Sequence, residues 1–227
     1  MTIIPFNPIQ AVLFDLDGTL IETDDQAVAR LERQLRPLFQ ARTPAVARWL
    51  MMKAETPGNA LITLLDWLRL DLPLMSVTDA LRRRRGVYPA PEFCLIHGVE
   101  ELLLTLAEHY PLALVTTRSR YHIDQFLLRF PSLSGVFSAT LGLQDTHRLK
   151  PHPEPIHLAA QQLGVPVTNC LMVGDTTMDV LAARRAGAWS TAVLCGFGER
   201  RELARAGAHI ILNSTADLLP WLIANGQ

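Results

Sequence analysis

Asp15 and Asp17 stand two residues apart at the end of a short apolar run, Ile9 to Phe14. In an extended chain such a pair shares one face at a separation of about 6–7 Å. Two ionised carboxylates that close repel each other, so the arrangement calls for a cation. Gly18 follows, and without a side chain it lets the backbone turn tightly with its N–H groups open to an anion. A second acidic pair, Asp175 and Asp179, lies in Gly174-Asp-Thr-Thr-Met-Asp179. Four residues apart, these two share a face if a helix begins near Thr176. Carboxylate-bearing loops that converge from two strand ends suit magnesium, which takes oxygen ligands and keeps room for water and phosphate. Each pair also has a plainer reading when taken alone: solvated loop residues for Asp15 and Asp17, a helix cap for Asp175.

Two further places supply groups that bind anions. Thr116 and Thr117 end another apolar run and offer hydroxyl donors just ahead of a helix, whose N-terminus favours a phosphoryl oxygen. Lys150, in Leu149-Lys-Pro-His-Pro153, precedes a helix. Cations favour the opposite end of a helix, so a lysine aimed at an anion explains this position better than helix electrostatics do. A solvated loop lysine is the plainer alternative.

The elements that must position these groups are legible from periodicity. Ile9 to Phe14, Leu112 to Val115, Val136 to Ala139, Cys170 to Val173, Ser190 to Leu194 and Ile210 to Leu212 read as short buried strands. Helical segments alternate with them: Val99 to His109, Arg120 to Phe130, Pro153 to Leu163, Met178 to Ala186, Glu199 to Ala206 and Thr215 to Ile223. Strands alternating with helices imply an α/β fold, a Rossmann-like parallel sheet covered by helices on both faces. Ligands of such folds bind at the carboxyl ends of the strands, where the four groups above lie. From Asp24 to about Arg85 the texture is helical only, with Pro44, Pro57 and Pro73 where helices would begin. The expected organisation is a core of residues 1–20 and 94–227, interrupted by an all-helical, four-helix insertion over 21–93.

Bulk properties limit the partners. About half of the 227 residues are hydrophobic (49%) and the formal net charge is −1, which advertises neither nucleic acid nor an anionic membrane. Arg82 to Arg85 are consecutive, so a helix would fan them around its circumference rather than align them. No segment reads as a membrane span, and the N-terminus does not read as a secretory signal, so a cytoplasmic location is expected. Cys94, Cys170 and Cys195 are too few and too scattered for a disulfide scaffold or a metal site and read as buried thiols in a reducing cytosol.

In order and spacing, Asp15-Leu-Asp-Gly-Thr-Leu20, the Thr116 strand end, Lys150-Pro151 and Gly174-Asp-Thr-Thr-Met-Asp179 resemble the four motifs of haloacid dehalogenase-type phosphatases. The helical insertion resembles the cap domain of those enzymes. Gly196-Phe-Gly198 and Ala206-Gly-Ala-His-Ile210 look like the phosphoglycolate phosphatase branch. The resemblance implies a magnesium-dependent hydrolase acting on a small-molecule phosphate ester. Asp15 would be the nucleophile that becomes an aspartyl-phosphate, and Asp17 the general acid and base. Magnesium would be held by the Asp15 carboxylate, the Asp17 main-chain carbonyl and Asp175, with Asp179 supporting that shell. Gly18, Thr116, Thr117 and Lys150 would hold the transferring phosphoryl oxygens.

Two positions depart from the family pattern. Thr117-Arg118 follows Thr116 where relatives often have asparagine, and a surface role for Arg118 is the simpler expectation. His97 stands before Gly98 where proline is usual, and reads as a packed linker residue. A sugar phosphomutase would share every catalytic residue and differ in its cap. A haloalkanoate dehalogenase would not need Asp17, Asp175 or Asp179. A non-catalytic binding module would not need Asp15 and Lys150 intact. Monomer and homodimer are both open.

Overall fold

The computed structural model describes residues 9–22 and 93–225. The four-helix expectation, Arg82 to Arg85 and most of the 21–93 insertion lie outside the described residues. Within them, six strands form one parallel sheet: β1 (Ala11–Phe14), β2 (Leu112–Val115), β3 (Phe137–Leu141), β4 (Cys170–Gly174), β5 (Trp189–Val193) and β6 (Ile210–Leu212). Their order across the sheet is β3-β2-β1-β4-β5-β6. The chain thus builds outward from β1 on one side, then returns to build outward from β1 on the other. That reversal leaves a crevice at the carboxyl ends of β1 and β4, the place where open α/β sheets take their ligands.

The central strands bury both faces, and the two faces differ in bulk. On one, Val12, Phe14, Leu112 and Leu114 pack with Leu103 and Leu106 of α1 (Val99–Ala107), Ile123 and Phe126 of α2 (Arg120–Arg129) and Leu222 of α6 (Leu218–Ala224). On the other, Ala11, Leu13, Ala113 and Val115 meet Ala159 and Ala160 of α3 (Glu154–Leu163) and Ala182, Ala183 and Ala186 of α4 (Thr177–Ala186). Side chains of a strand alternate between faces, so the odd positions of β1 serve one layer and the even positions the other. The remaining helix, α5, spans Arg200–Ala206. Among the described residues, no helix is long and apolar enough to cross a membrane.

Register brings the candidate residues to one level. Phe14 pairs with Leu114 on one side and Val173 on the other. Asp15 therefore emerges level with Val115 and Gly174, and Thr116 and Asp175 lie one residue further on.

Most expected elements are present with ends shifted by a residue or two, and two differences are physical. The β3 strand runs two residues beyond the expected Ala139; as an edge strand with exposed positions it carries little of the apolar pattern that marks a buried one. The segment expected as a single helix from Thr215 divides into a 3-10 turn, Thr215–Asp217, and α6. Pro220 has no N–H and is accommodated only in the first turn of a helix, which fixes where α6 starts.

Candidate active site

Asp15, Asp175 and Asp179 each place a carboxylate oxygen within 4.8 Å of the others, and all three are buried. Lys150, only 4% exposed, reaches into the same group from the loop ahead of α3. Its ammonium donates to Asp15 Oδ1 at 2.8 Å, to Asp179 Oδ1 at 2.6 Å and to the Val115 carbonyl at 2.9 Å. The ammonium thus spends its three donors on strand ends β1 and β2 and on the first turn of α4.

The local sequence explains why Asp175 is available to the site. Thr176, not Asp175, is the N-cap of α4, and Asp179 completes a capping box with it. Asp179 Oδ2 accepts from the Thr176 main-chain N–H at 3.1 Å and the Thr176 hydroxyl at 2.6 Å. One carboxylate of the pair therefore fixes the start of the helix while its other oxygen holds Lys150. Asp175 is wholly buried and accepts from the Phe197 N–H at 2.8 Å and the Thr19 hydroxyl at 3.4 Å. The cap reading of Asp175 gives way to a site position.

Glycines make room for this packing. A Cβ on Gly18, Gly174 or Gly196 would collide with the side chain of Asp175 or Asp179. Gly18 also has φ of +67°, in the left-handed region that side chains disfavour. The expected turn at Gly18 is present, and it faces Asp175.

Electrostatics follow from burial. Burial pushes the Asp15 carboxyl up to about 7; Lys150 pulls it back, while Asp179 and Asp17 push it further up. Burial likewise holds Asp175 well above the usual carboxylate range, with Asp179 and Asp15 adding to the rise. For Lys150, burial disfavours the ammonium, but Asp15 and Asp179 outweigh it and raise the group above its ordinary value. Were all three carboxylates ionised, one ammonium would leave two negative charges uncompensated, which a divalent cation would cancel; without one, burial favours the protonated acids. An all-oxygen donor set of this kind fits magnesium.

Thr116 is buried beside Lys150, and both line a small pocket with Val115, Leu141, Thr146 and the exposed Thr117. The Thr116 hydroxyl accepts the Arg118 main-chain N–H at 3.2 Å, which shapes the turn into α2. Asp17 does not join the acidic cluster through its side chain. It meets Arg118 instead: Nε lies 2.7 Å from Oδ2 and Nη2 2.5 Å from Oδ1. The surface expectation for Arg118 is thereby corrected. What sequence reasoning lacked was a partner 101 residues away; the available signal was a cation two residues after the Thr116 strand end. His97 is exposed rather than packed. Thr19, Gly174, Gly196 and the Phe197 N–H also serve the site, through Asp175 and Asp179, without having been singled out as site residues.

A parallel α/β sheet carrying three buried carboxylates, two of them joined by one lysine, at its topological switch fits a hydrolase core of the phosphate-handling kind. The chain belongs to the haloacid dehalogenase-like hydrolases, whose family model matches residues 9–187. It is 32% identical over 218 residues to a phosphoglycolate phosphatase of Mannheimia succiniciproducens, covering 91% of this chain and 95% of that protein. A phosphoglycolate phosphatase of Escherichia coli K12 is 28% identical, with 96% and 94% covered. Among solved structures, a predicted phosphoglycolate phosphatase from Haemophilus somnus superposes with TM-score 0.63 at 23% identity, covering 94% of this chain and 97% of that one. A proposed β-phosphoglucomutase from Thermotoga maritima gives TM-score 0.66 at 23% identity, with 95% and 99% covered. The expectation of a phosphatase of this superfamily is borne out at the level of family and enzyme class.

Proposed function

We propose that this chain is a magnesium-dependent phosphatase that hydrolyses a small phosphate monoester of the phosphoglycolate type. The observation that carries this reading is the Lys150 ammonium, buried between Asp15 and Asp179 beside Asp175. Such a knot of charge at strand ends has little use as a fold stabiliser, since a buried ion cluster is often no better than apolar packing. It fits a centre that must receive a phosphoryl group.

An oxygen of Asp15 attacks phosphorus; the new P–O bond forms as the ester P–O bond breaks, and Asp17 gives its proton to the departing alkoxide. Water then attacks the aspartyl-phosphate, Asp17 takes its proton, and the P–O bond to Asp15 breaks to release inorganic phosphate. Lys150 and Thr116 hold the equatorial oxygens, with Thr117 and the main-chain N–H groups around Gly18 alongside them. Magnesium, held by the Asp15 carboxylate, the Asp17 main-chain carbonyl and Asp175 with Asp179 behind them, would neutralise charge on the phosphoryl oxygens. The core of residues 1–20 and 94–227 supplies this machinery, and the insertion over 21–93 acts as a cap that selects the ester and excludes water. The enzyme acts in the cytoplasm on a free small molecule and needs neither nucleic acid nor membrane.

The test is release of inorganic phosphate from 2-phosphoglycolate, hexose phosphates and p-nitrophenyl phosphate, with magnesium and with EDTA. Turnover is expected with magnesium only, and loss of about 10³-fold or more is expected in Asp15→Asn. Equal rates in EDTA, or persistent turnover in Asp15→Asn, would overturn the mechanism. Isomerisation of a hexose phosphate without phosphate release would mark a phosphomutase instead.

A further inference from the structure

The Asp175 carboxylate rests against two stretches of main chain, one in the loop after β1 and one in the loop after β5. A Cβ on Gly18 or on Gly196 would strike that carboxylate, and one on Gly18 would come within 3.0 Å of the Gly196 Cα. Each loop also supplies one donor: the Thr19 hydroxyl reaches Asp175 Oδ1 at 3.4 Å, and the Phe197 N–H reaches Oδ2 at 2.8 Å. The place of this carboxylate is therefore set by where the two loops lie.

Two side chains join the loops from behind. Cys195, half-buried, donates from its thiol to the Gly18 carbonyl at 3.4 Å. Thr215, wholly buried, donates from its hydroxyl to the next carbonyl, that of Thr19, at 2.5 Å. The thiol and the hydroxyl lie 3.6 Å apart. Thr215 is itself fixed at the start of the 3-10 turn Thr215–Asp217, where Ser214 and Asp217 form a capping box and the Ser214 N–H donates to Asp217 at 3.0 Å. No main-chain N–H among the described residues serves the Thr19 carbonyl, so the Thr215 hydroxyl carries that buried acceptor. Neither Cys195 nor Thr215 bonds to Asp15, Asp175 or Asp179, so both act only through the main chain.

We infer that Thr215 and Cys195 are positioning residues for the metal site: they clasp the Gly18–Thr19 turn to the Gly196–Phe197 loop and so fix the Asp175 carboxylate for magnesium, a role that rests on the magnesium-dependent reading above. Magnesium demands near-ideal octahedral geometry, so a ligand displaced by a few tenths of an ångström is felt in affinity. The Thr19–Asp175 bond stands at the long end of the hydrogen-bond range, and a shift of the turn by that amount breaks it. Loss of the Thr215 hydroxyl leaves a buried carbonyl unpaired, which drives the turn to move.

The experiment measures magnesium binding by calorimetric titration at pH 8, and melting in EDTA, for the wild type, Thr215→Val, Thr215→Ser, Cys195→Ala and Leu222→Ala. Thr215→Val, close in shape but without the donor, is expected to bind magnesium about tenfold more weakly. Thr215→Ser keeps the hydroxyl and is expected to stay within about twofold of the wild type, while Cys195→Ala loses a weaker donor and about threefold in affinity. Leu222 is a core residue of the same C-terminal segment. Leu222→Ala is expected to lower the melting temperature with magnesium affinity within about twofold. Wild-type affinity in Thr215→Val or in Cys195→Ala overturns the clasp, and the second variant decides if the first does not fold. Equal losses in Thr215→Val and Thr215→Ser, or in Thr215→Val and Leu222→Ala, overturn it as well, since general loosening would produce them. A wild type that binds no magnesium removes the metal-dependent reading itself, whereas binding that none of these changes weakens removes the clasp alone.

Discussion

Replacing Lys150 by methionine removes one buried charge and leaves its partners in place. The ammonium is 4% exposed and makes three contacts, to Asp15, Asp179 and the Val115 carbonyl. Methionine fills most of the volume but satisfies none of these oxygens. Removing one partner of a buried ion pair costs about 3–5 kcal/mol, because the remaining charge has neither water nor counter-ion. For a chain of this length each kcal/mol moves the melting temperature by about 2–4 °C, so a fall of about 6–20 °C is expected in EDTA near pH 8. The effect has a sign in pH. In the wild type the folded-state pKa of Asp15, about 7, lies above its ordinary 3.8, so the folded protein binds the extra proton. That contribution is complete below the ordinary value and is lost as pH rises through about 7. Lys150 is what restrains this rise, so without it Asp15 keeps its proton to higher pH and the cost of the substitution shrinks in acid. Calorimetry of the metal-free proteins at pH 5.5 and pH 8 checks both the size and the direction. A fall of less than about 2 °C at pH 8, or a larger fall at pH 5.5 than at pH 8, would refute the reasoning. Turnover of p-nitrophenyl phosphate should drop about 10³-fold in the same variant even at temperatures where it is fully folded.

Magnesium must displace the protons that burial keeps on Asp15 and Asp175, so its affinity should weaken by at least about tenfold for each pH unit below 7; calorimetric titration between pH 5.5 and 8.5 measures this, and a flat profile would contradict the assignment of Asp15 to the site. Gly196→Ala places a Cβ against the carboxylate of the wholly buried Asp175, and should cost about 2–4 kcal/mol by denaturant unfolding together with most of the magnesium affinity. Gly135→Ala meets nothing within 4 Å and is the control: its positive φ should cost about 1 kcal/mol, with magnesium binding intact.

The strand ends of the buried cluster were legible in the sequence because burial leaves so few ways to satisfy a charge. Asp15, Asp175, Asp179 and Lys150 each look odd beside apolar strands, and each finds its explanation in the other three. The sheet was legible for the same reason: Ala11 to Phe14 and Cys170 to Val173 are continuous apolar runs, which only a strand covered on both faces tolerates. The edge strand β3 blurred because its exposed positions have no need to be apolar. Arg118 and His97 were misjudged for a different reason. Both lie in loops, where type and spacing say little about direction, and their surroundings depend on pairings that only the assembled sheet creates.

Exposure divides the site into two levels that answer to different demands. At the lower level, Asp175 is wholly buried and Asp179 nearly so, and every oxygen that has a partner there is bound to another member of the site or to the main chain. A change at that level alters protonation, helix capping and metal affinity together, since Asp179 caps α4 with one oxygen and holds Lys150 with the other. The upper level is the Asp17–Arg118 ion pair, whose side chains are both partly exposed. An ion pair in that position is individually weak, so opening it costs far less than breaking the buried network below it. The residues of the lower level cannot vary without disturbing the whole buried network. Those of the upper level can vary without disturbing it.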